Sequence, residues 1–263
     1  MNYRRLFFGT SKPLSKARMV VDAILVVTLC VMWFYGSSLY HGKMKRIEEV
    51  RDRVRPGLSH ELTAAGFALG DPMFIRVFKD TREMEIWLRP QNSWTFRRYR
   101  TYPAHFSGYL GPKLMEGDQQ TPEGFYSIME KALNPNSAFH LSFNIGYPNV
   151  YDQIQLRTGS YIMVHGGQAS IGCFAMTDPG IEEIYLMAEA AFDNGQLNIP
   201  MHIFPFRMTP ERLEKESSSA WADFWSNLAE GYAAFEKTHV PPMVSTFEGR
   251  YVFDQPVPVY RED

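Results

Sequence analysis

Ser160 to Met176 read SYIMVHGGQASIGCFAM, and this stretch decides how the rest of the chain is interpreted. Tyr161 to Val164 is a short run of aromatic, β-branched and long apolar residues, which is typical of a buried strand. His165 then ends the strand, and the glycine pair 166–167 breaks it. The seven-residue connection that follows is long enough to bring Cys173 back beside the imidazole.

A cysteine beside a histidine has the chemistry of a nucleophile and its base, because the thiolate is the reactive form and an imidazole can take its proton. Gly172 leaves room for a substrate carbonyl, so the N–H groups of Gly172 and Cys173 are candidates for an oxyanion hole. The carbonyl of Gly166 is a candidate for orienting the His165 ring. The structural alternative is a buried cysteine and a packing histidine, since one such pair is a weak signal.

A helix is predicted directly after the cysteine. Asp178 reads as its N-cap, Pro179 as a first-turn proline and Gly195 as its C-terminal cap, so the helix should run from 178 to about 194. Its positive end would favour the Cys173 thiolate, and acids near its start would partly cancel that effect.

Two elements of the chain resemble the active-site signature of the YkuD-type L,D-transpeptidase family. The first is His165-Gly166 followed by Ser170-Ile171-Gly172-Cys173, and the second is GPKLMEGDQQTPEGFYSI at 111–128. The resemblance covers about residues 72–206. It implies that Cys173 and His165 are catalytic, that Ser170 belongs to the oxyanion and orienting group, and that the substrate is peptidoglycan.

One position departs from the family pattern. Ile171 stands where most members carry a histidine, and the His165-to-Cys173 spacing is shorter than usual. Together with FNIGYPNVYD at 143–152, these features resemble the YafK-like branch. That branch is associated with hydrolysis of the amide between diaminopimelate and a covalently attached lipoprotein, so the resemblance implies a thioester mechanism resolved by water.

Other functions remain open at this point. A transpeptidase would pass the thioester to a second amine, and a noncatalytic module would only bind peptidoglycan. A metal hydrolase is disfavoured because the sequence has no His-Glu-x-x-His motif and one cysteine beyond the N-terminal region. No metal and no cofactor are therefore expected. Asn144, Tyr147 and Gly167 are candidates for binding the peptide stem, although turn formation also explains the residues around 148.

The N-terminus predicts an uncleaved membrane anchor. Residues 1–18 are basic, and residues 19–40 carry one charge and would span about 33 Å as a helix. The basic flank places residues 1–18 in the cytoplasm and sends the remainder into the periplasm, with the chain anchored to the inner membrane. A cleaved signal peptide is the alternative, with small residues at 36–38 as the cut site.

Charge excludes one class of partner. The chain has 27 Lys/Arg and 29 Asp/Glu, of which eight and one stand in residues 1–46, so the remainder carries 19 and 28 and a formal charge of minus nine. A surface this acidic argues against nucleic acid.

The remaining pattern predicts an α+β fold. Residues 41–71 read as a charged stalk that serves as a solvated spacer, 72–206 as the catalytic domain and 207–263 as a C-terminal helical extension and tail. Alternating apolar and polar runs predict a mostly antiparallel sheet of the L,D-transpeptidase type with flanking helices. Aromatic residues at helical spacing in 218–239 should dock on the domain, and 246–253 should form a hairpin.

Overall fold

A computed structural model of the protein describes residues 16–254, giving the backbone alone at 16, 17, 19, 20 and 35–45. Residues 1–15 of the predicted cytoplasmic segment and 255–263 of the predicted tail lie outside it. The helices are α1 (Lys16–Ala64), α2 (Val150–Ile154), α3 (Asp178–Asp193), α4 (Pro210–Lys215) and α5 (Ala222–Thr238), with a 3-10 turn at Glu130–Ala132.

The chain divides into two compact units, 1–46 and 47–263. Helix α1 contributes to both of them, and its side chains at 21–34 are exposed. The residues of the predicted anchor, 19–40, are helical. The anchor itself is not found, because no helix in the described part of the chain combines the length and the apolar character needed to cross a membrane.

The second unit holds the strands of three sheets. The strands are β1 (Met73–Phe78), β2 (Glu83–Leu88), β3 (Arg97–Pro103), β4 (Gly124–Met129), β5 (Leu133–Asn134), β6 (Ser142–Asn144), β7 (Met163–His165), β8 (Phe174–Ala175), β9 (Asn198–Phe204), β10 (Met243–Phe247) and β11 (Arg250–Asp254). The largest sheet has the order β3-β2-β1-β9-β4, the second has the order β5-β6-β7-β8, and β10 pairs with β11 in the predicted hairpin.

The expectation of a mostly antiparallel sheet needs a correction, because both larger sheets are mixed. Strand β1 pairs with β9 in parallel, with Ile75 opposite Met201, and β7 pairs with β8 in parallel, with His165 opposite Ala175. The other pairings in the described chain are antiparallel. Parallel neighbours need a long crossover, which β1 and β9 have because most of the domain lies between them.

The main core lies between the two larger sheets, α3 and the C-terminal part of α1. The opposite face of the five-stranded sheet is covered by α5 and the hairpin, where Phe224, Trp225 and Leu228 pack against Phe78 and Phe204. The aromatic stripe of 218–239 therefore docks on the domain, as the sequence predicts.

The predicted spacer at 41–71 also needs a correction. Ile47, Val50, Leu58 and Leu62 of α1 are buried in the main core at 3% exposure or less. With half-buried Val54 they stand three or four positions apart, which is the spacing of one helical face. The many charges of KMKRIEEVRDRV hide this stripe in the sequence.

Several of those charges are ion-paired with the domain. Arg51 makes two contacts with Glu189 of α3, at 3.0 and 2.6 Å. Arg100 of β3 bridges Glu61 of α1 and Glu183 of α3 at 2.6 and 2.7 Å. Arg100 thus holds α1 and α3 to the sheet.

Candidate active site

The parallel pairing of β7 with β8 brings the segments that carry His165 and Cys173 side by side. Met163 and His165 stand two positions apart on β7, and Ala175 faces His165 across the pair. Cys173 precedes β8, so continuing the register places it opposite Met163. His165 and Cys173 therefore belong to adjacent segments of the sheet and lie two register positions apart.

His165 is buried, and its ring is held by its own chain. Its Nδ1 lies 2.6 Å from the carbonyl oxygen of Gly166, the contact that the sequence suggested. A carbonyl only accepts, so Nδ1 carries the proton and Nε2 is left as the acceptor nitrogen. The ring of Phe139 lies 4.8 Å from the imidazole, centroid to centroid. The tautomer is therefore the one that a general base at Nε2 requires.

The Cys173 thiol is half-buried between two backbone groups, one in β7 and one just before it. Its Sγ accepts from the N–H of Met163 at 3.4 Å and donates to the carbonyl of Tyr161 at 3.6 Å. Burial raises the pKa of the Cys173 thiol above its ordinary value, against the opposing influence of the Met163 N–H and the Lys113 charge. The expected thiolate from the α3 helix end is therefore not the resting form.

The glycine after His165 is required by packing. A Cβ on Gly166 would lie 2.5 Å from the Asp178 carboxylate and 2.8 Å from the Phe139 carbonyl. Asp178 also accepts from the Gly167 N–H at 2.9 Å. The helix α3 accordingly takes Thr177 as its N-cap, one position before the residue that the sequence predicted, because the Asp178 side chain holds the glycine loop.

The loop before the cysteine is also fixed by backbone contacts. The Ser170 hydroxyl donates to the Cys173 carbonyl at 2.6 Å and accepts from the Gly172 N–H at 3.3 Å. Gly172 has φ +122°, a conformation that favours glycine, and its carbonyl accepts from Thr121 at 3.2 Å. Within the described chain the Cys173 N–H makes no hydrogen bond, so it is the freer of the two candidate oxyanion donors.

A cavity of about 650 Å³ lies against the residues that hold the sulfur, and we call it the thiol cavity, although neither Cys173 nor His165 is among its lining residues. Tyr161 and Met163 line it, and both contact the Cys173 sulfur. The predicted stem-binding residues Asn144 and Tyr147 line it as well. Gly167, the third of these predictions, is not part of this lining and faces α3 through its bond to Asp178.

Asn144 and Tyr147 also have structural duties. The Asn144 carboxamide accepts from the Gly146 N–H at 2.8 Å within the turn. The Tyr147 hydroxyl donates to the carbonyls of Lys113 and Thr158 at 3.3 and 3.2 Å. Turn formation thus explains part of what the sequence assigned to substrate.

The loop at 111–123 supplies site residues that sequence reasoning missed. The buried Lys113 ammonium donates to the Met115 carbonyl at 2.8 Å and to Asp118 at 2.5 Å, and its charge acts on the Cys173 thiol. Buried Lys79 and Glu123 form an ion pair at 2.9 Å that also binds the backbone of Gly111. The signal was present, since Lys113, Thr121 and Glu123 lie within the quoted 111–128 element.

Apolar side chains at the rim of the site are unusually open to solvent. Ile171, which replaces the expected histidine, is 78% exposed, and Tyr161 is 77% exposed. Among the described residues, no three His, Cys, Asp or Glu side chains are grouped to hold a metal ion.

Comparison with known proteins identifies the family of the domain. The sequence profile of the YkuD family, described as the L,D-transpeptidase catalytic domain, matches residues 72–231. YafK of Escherichia coli K12, which is provisionally named an L,D-transpeptidase, is 40% identical over 190 residues, or 72% of this chain and 76% of its own. YafK of Escherichia coli O157:H7 gives the same values.

Solved structures show a more distant likeness. The K307A variant of the helical cell shape determining protein Pgp2 from Campylobacter jejuni is 18% identical, with a TM-score of 0.41 over 66% of this chain and 62% of that one. Bd1075 from Bdellovibrio bacteriovorus is 23% identical, with a TM-score of 0.39 over 61% of this chain and 56% of its own. The chain thus spans less than two thirds of either structure.

The family assignment depends on the profile match and on the YafK relatives, both of which include the His165 and Cys173 elements within the matched domain. This chain belongs to the YkuD family of L,D-transpeptidase catalytic domains.

Proposed function

We propose that this L,D-transpeptidase-family domain uses Cys173 to hydrolyse the amide between diaminopimelate and a protein covalently attached to peptidoglycan. Its family supports peptidoglycan as the substrate, and its 40% identity to YafK supports the branch for which the sequence suggests hydrolysis. Because peptidoglycan lies outside the cytoplasmic membrane, the proposal places the domain in the periplasm.

The position of the Cys173 sulfur carries the proposal. The sulfur is held by backbone groups of Tyr161 and Met163, two residues that line the thiol cavity, and the His165 imidazole at the end of the adjoining strand has its Nε2 available as an acceptor. The raised pKa of the thiol means that its proton must be removed during the reaction. A nearby base of this kind is what an attacking thiol requires.

The reaction then follows in two halves. Nε2 of His165 takes the thiol proton, and the sulfur bonds to the amide carbonyl carbon. The oxyanion that forms accepts from the Cys173 N–H, joined by the Gly172 N–H if that group leaves Ser170. The carbon–nitrogen bond breaks as His165 returns the proton to the departing amine, leaving a thioester. Water, activated by the same imidazole, cleaves the thioester and frees Cys173.

A transpeptidase is the second candidate, and the family name favours it. The first half of the reaction is identical, but an amine of another stem resolves the thioester. A noncatalytic peptidoglycan-binding module is the third, and it predicts that loss of the sulfur changes nothing.

The test uses peptidoglycan sacculi that still carry covalently attached protein, incubated with purified chain and analysed by mass spectrometry. We expect protein release without new cross-links, and a loss of about a thousandfold or more in Cys173→Ala. Cys30→Ala is the matched control, because it removes the chain's other free cysteine and should retain full activity.

The outcomes separate the candidates. New diaminopimelate cross-links or newly attached protein would show a transpeptidase and contradict the amidase. Sacculi unchanged by the native chain, with equal binding by Cys173→Ala, would instead favour the binding module.

A further inference from the structure

A second cavity, of about 800 Å³, lies between β4 and the C-terminal hairpin. We call it the hairpin groove. Strand β4 is the edge of the five-stranded sheet, so one wall belongs to the catalytic domain and the other to β10. The β10–β11 hairpin lies beyond residue 231, where the family match ends. Residues along the groove include Ser127, Gly146, Val150, Pro241, Met243 and Thr246.

The groove exists because the C-terminal layer covers the sheet face incompletely. Phe125, Ser127 and Met129 alternate with core residues along β4 and therefore share one face. Phe125 is buried under Tyr251 and Phe253 of the hairpin, at ring distances of 4.9 Å. Farther along the strand Ser127 is exposed, and Met129 is 44% exposed.

The lining suits an uncharged, extended chain. It contains no Lys, Arg, Asp or Glu, although residues 47–263 carry a formal charge of minus nine. Its polar members are hydroxyl and amide groups such as those of Asn149 and Asn198. The buried imidazole of His202 also lines it, and its Nδ1 has no hydrogen-bond partner among the described residues. Such groups match peptide N–H and C=O groups better than an ionic ligand.

The groove adjoins the thiol cavity. Ser127 and Gly146 line both cavities, so a chain that leaves the thiol cavity along β4 lies next to the groove. A polypeptide attached at the scissile amide must extend away from the sulfur during the reaction. The groove is a preformed channel that can hold its first residues.

We propose that the hairpin groove binds an extended segment of the polypeptide attached at the scissile amide, an inference that rests on the proposed amidase function. Apolar side chains of that segment contact Val150 and Met243, which are 63% and 62% exposed in the absence of a partner. The groove thereby distinguishes stems that carry protein from stems that do not.

Two synthetic conjugates test the groove. In one, the diaminopimelate centre of a stem peptide is amide-linked to a single amino acid, and in the other to a neutral peptide of about eight residues, which spans about 26 Å when extended. With the purified full chain, we expect a KM about tenfold lower for the long conjugate, equivalent to about 1.4 kcal/mol of binding.

Exposed positions allow variants that should fold normally. Met243→Glu and Val150→Glu place a charge in the groove, and we expect each to reduce the tenfold preference to about threefold or less. Phe247→Glu is the matched control, because this side chain is 67% exposed on the same strand as Met243 but lies outside the lining. The kcat for the single-residue conjugate should be unchanged in all three.

A binding measurement keeps this inference separate from the chemistry. Fluorescence anisotropy should show that Cys173→Ala binds the labelled long conjugate more tightly than the short one. The double variant Cys173→Ala with Met243→Glu should lose this preference. If the native chain cleaves neither conjugate but still binds the long one more tightly, the amidase proposal is contradicted and the peptide-binding role of the groove is supported. Equal KM and equal binding for both conjugates would overturn the groove. If tighter binding depended on a disaccharide added to the stem rather than on the length of the attached peptide, the groove would be a glycan site. That result would also overturn this inference.

Discussion

The Cys173 thiol has a protected resting state. Its sulfur is bound by two backbone groups, and burial raises its pKa. A protonated, half-buried thiol reacts slowly with oxidants and alkylating agents, because the thiolate is the reactive form. The same burial makes the proton-accepting nitrogen of His165 necessary for attack on a substrate.

Lys113 offers a direct test of this electrostatic balance. Its charge lowers the thiol pKa against the larger effect of burial, so Lys113→Gln should raise that pKa further and slow alkylation at pH 7 about threefold to tenfold. Lys113→Arg keeps the charge and should resemble the native chain. The measurement is the rate of iodoacetamide labelling at Cys173 from pH 6 to 10, read by peptide mass spectrometry.

The pH dependence of alkylation follows from the raised pKa of the Cys173 thiol. Labelling of the native chain should rise with pH to a midpoint above that of a free cysteine, and the midpoint in Lys113→Gln should lie higher still. Identical midpoints in the native chain and Lys113→Gln would show that the lysine serves only the loop.

At the scale of elements, α3 connects the candidate site to α1. Its N-terminal residue Asp178 holds the Gly167 loop after His165, and Glu182 contacts both His140 of that region and Arg53 of α1 at 2.7 and 2.5 Å. The charge of Glu182 is therefore compensated by Arg53 of α1, a helix that the sequence pattern placed outside the domain.

The contact between Arg51 and Glu189 should contribute measurably to stability. It has two hydrogen bonds, and the side chains are 29% and 13% exposed, so a double-mutant cycle with Gln at both positions should give a coupling of about 1 kcal/mol. The Arg250–Glu230 pair, 55% exposed on both sides, is the control and should give a coupling near zero. Urea unfolding supplies the free energies, and equal couplings would contradict the role of burial.

Local sequence signals predicted the elements better than their arrangement. The boundaries of α3 and the hairpin followed from cap and turn residues, which act within a few positions. The parallel pairing of β1 with β9 joins segments far apart in the chain, and no local pattern encodes its direction. The packing of α1 was missed because its apolar stripe is interrupted by many charges.

In the candidate site as well, the local motif was predicted and the contacts made by distant loops were missed. The roles of Cys173 and His165 remain predictions, but the placement of their segments side by side follows from the motif and the register of two short strands. Lys113 is far from Cys173 in the chain, and the contact of Asp178 with Gly167 depends on the conformation of the loop between them, so spacing alone did not reveal either.

At the scale of the whole molecule, charge and surface are distributed unevenly. Residues 47–263 are strongly acidic, whereas the hairpin groove has no charged lining and the site rim exposes Tyr161 and Ile171. Exposed apolar side chains around a concave site are typical of a surface that a large ligand covers. This distribution fits a macromolecular substrate better than a small anion.

The extent of the folded unit leads to the last prediction. A chain that begins at Ile47 should unfold at the same temperature as the full chain, because the second compact unit begins there. A chain that begins at Pro72, where the family match starts, loses four buried aliphatic side chains of α1, namely Ile47, Val50, Leu58 and Leu62. Each contributes about 1.5 to 3 kcal/mol when fully buried, and the sum rivals the total stability of a typical domain. We therefore expect the shorter chain to melt at least about 10 °C lower or to fail to fold, as measured by circular dichroism. Equal melting temperatures for the two truncated chains would show that the packing of α1 contributes nothing to the stability of the domain.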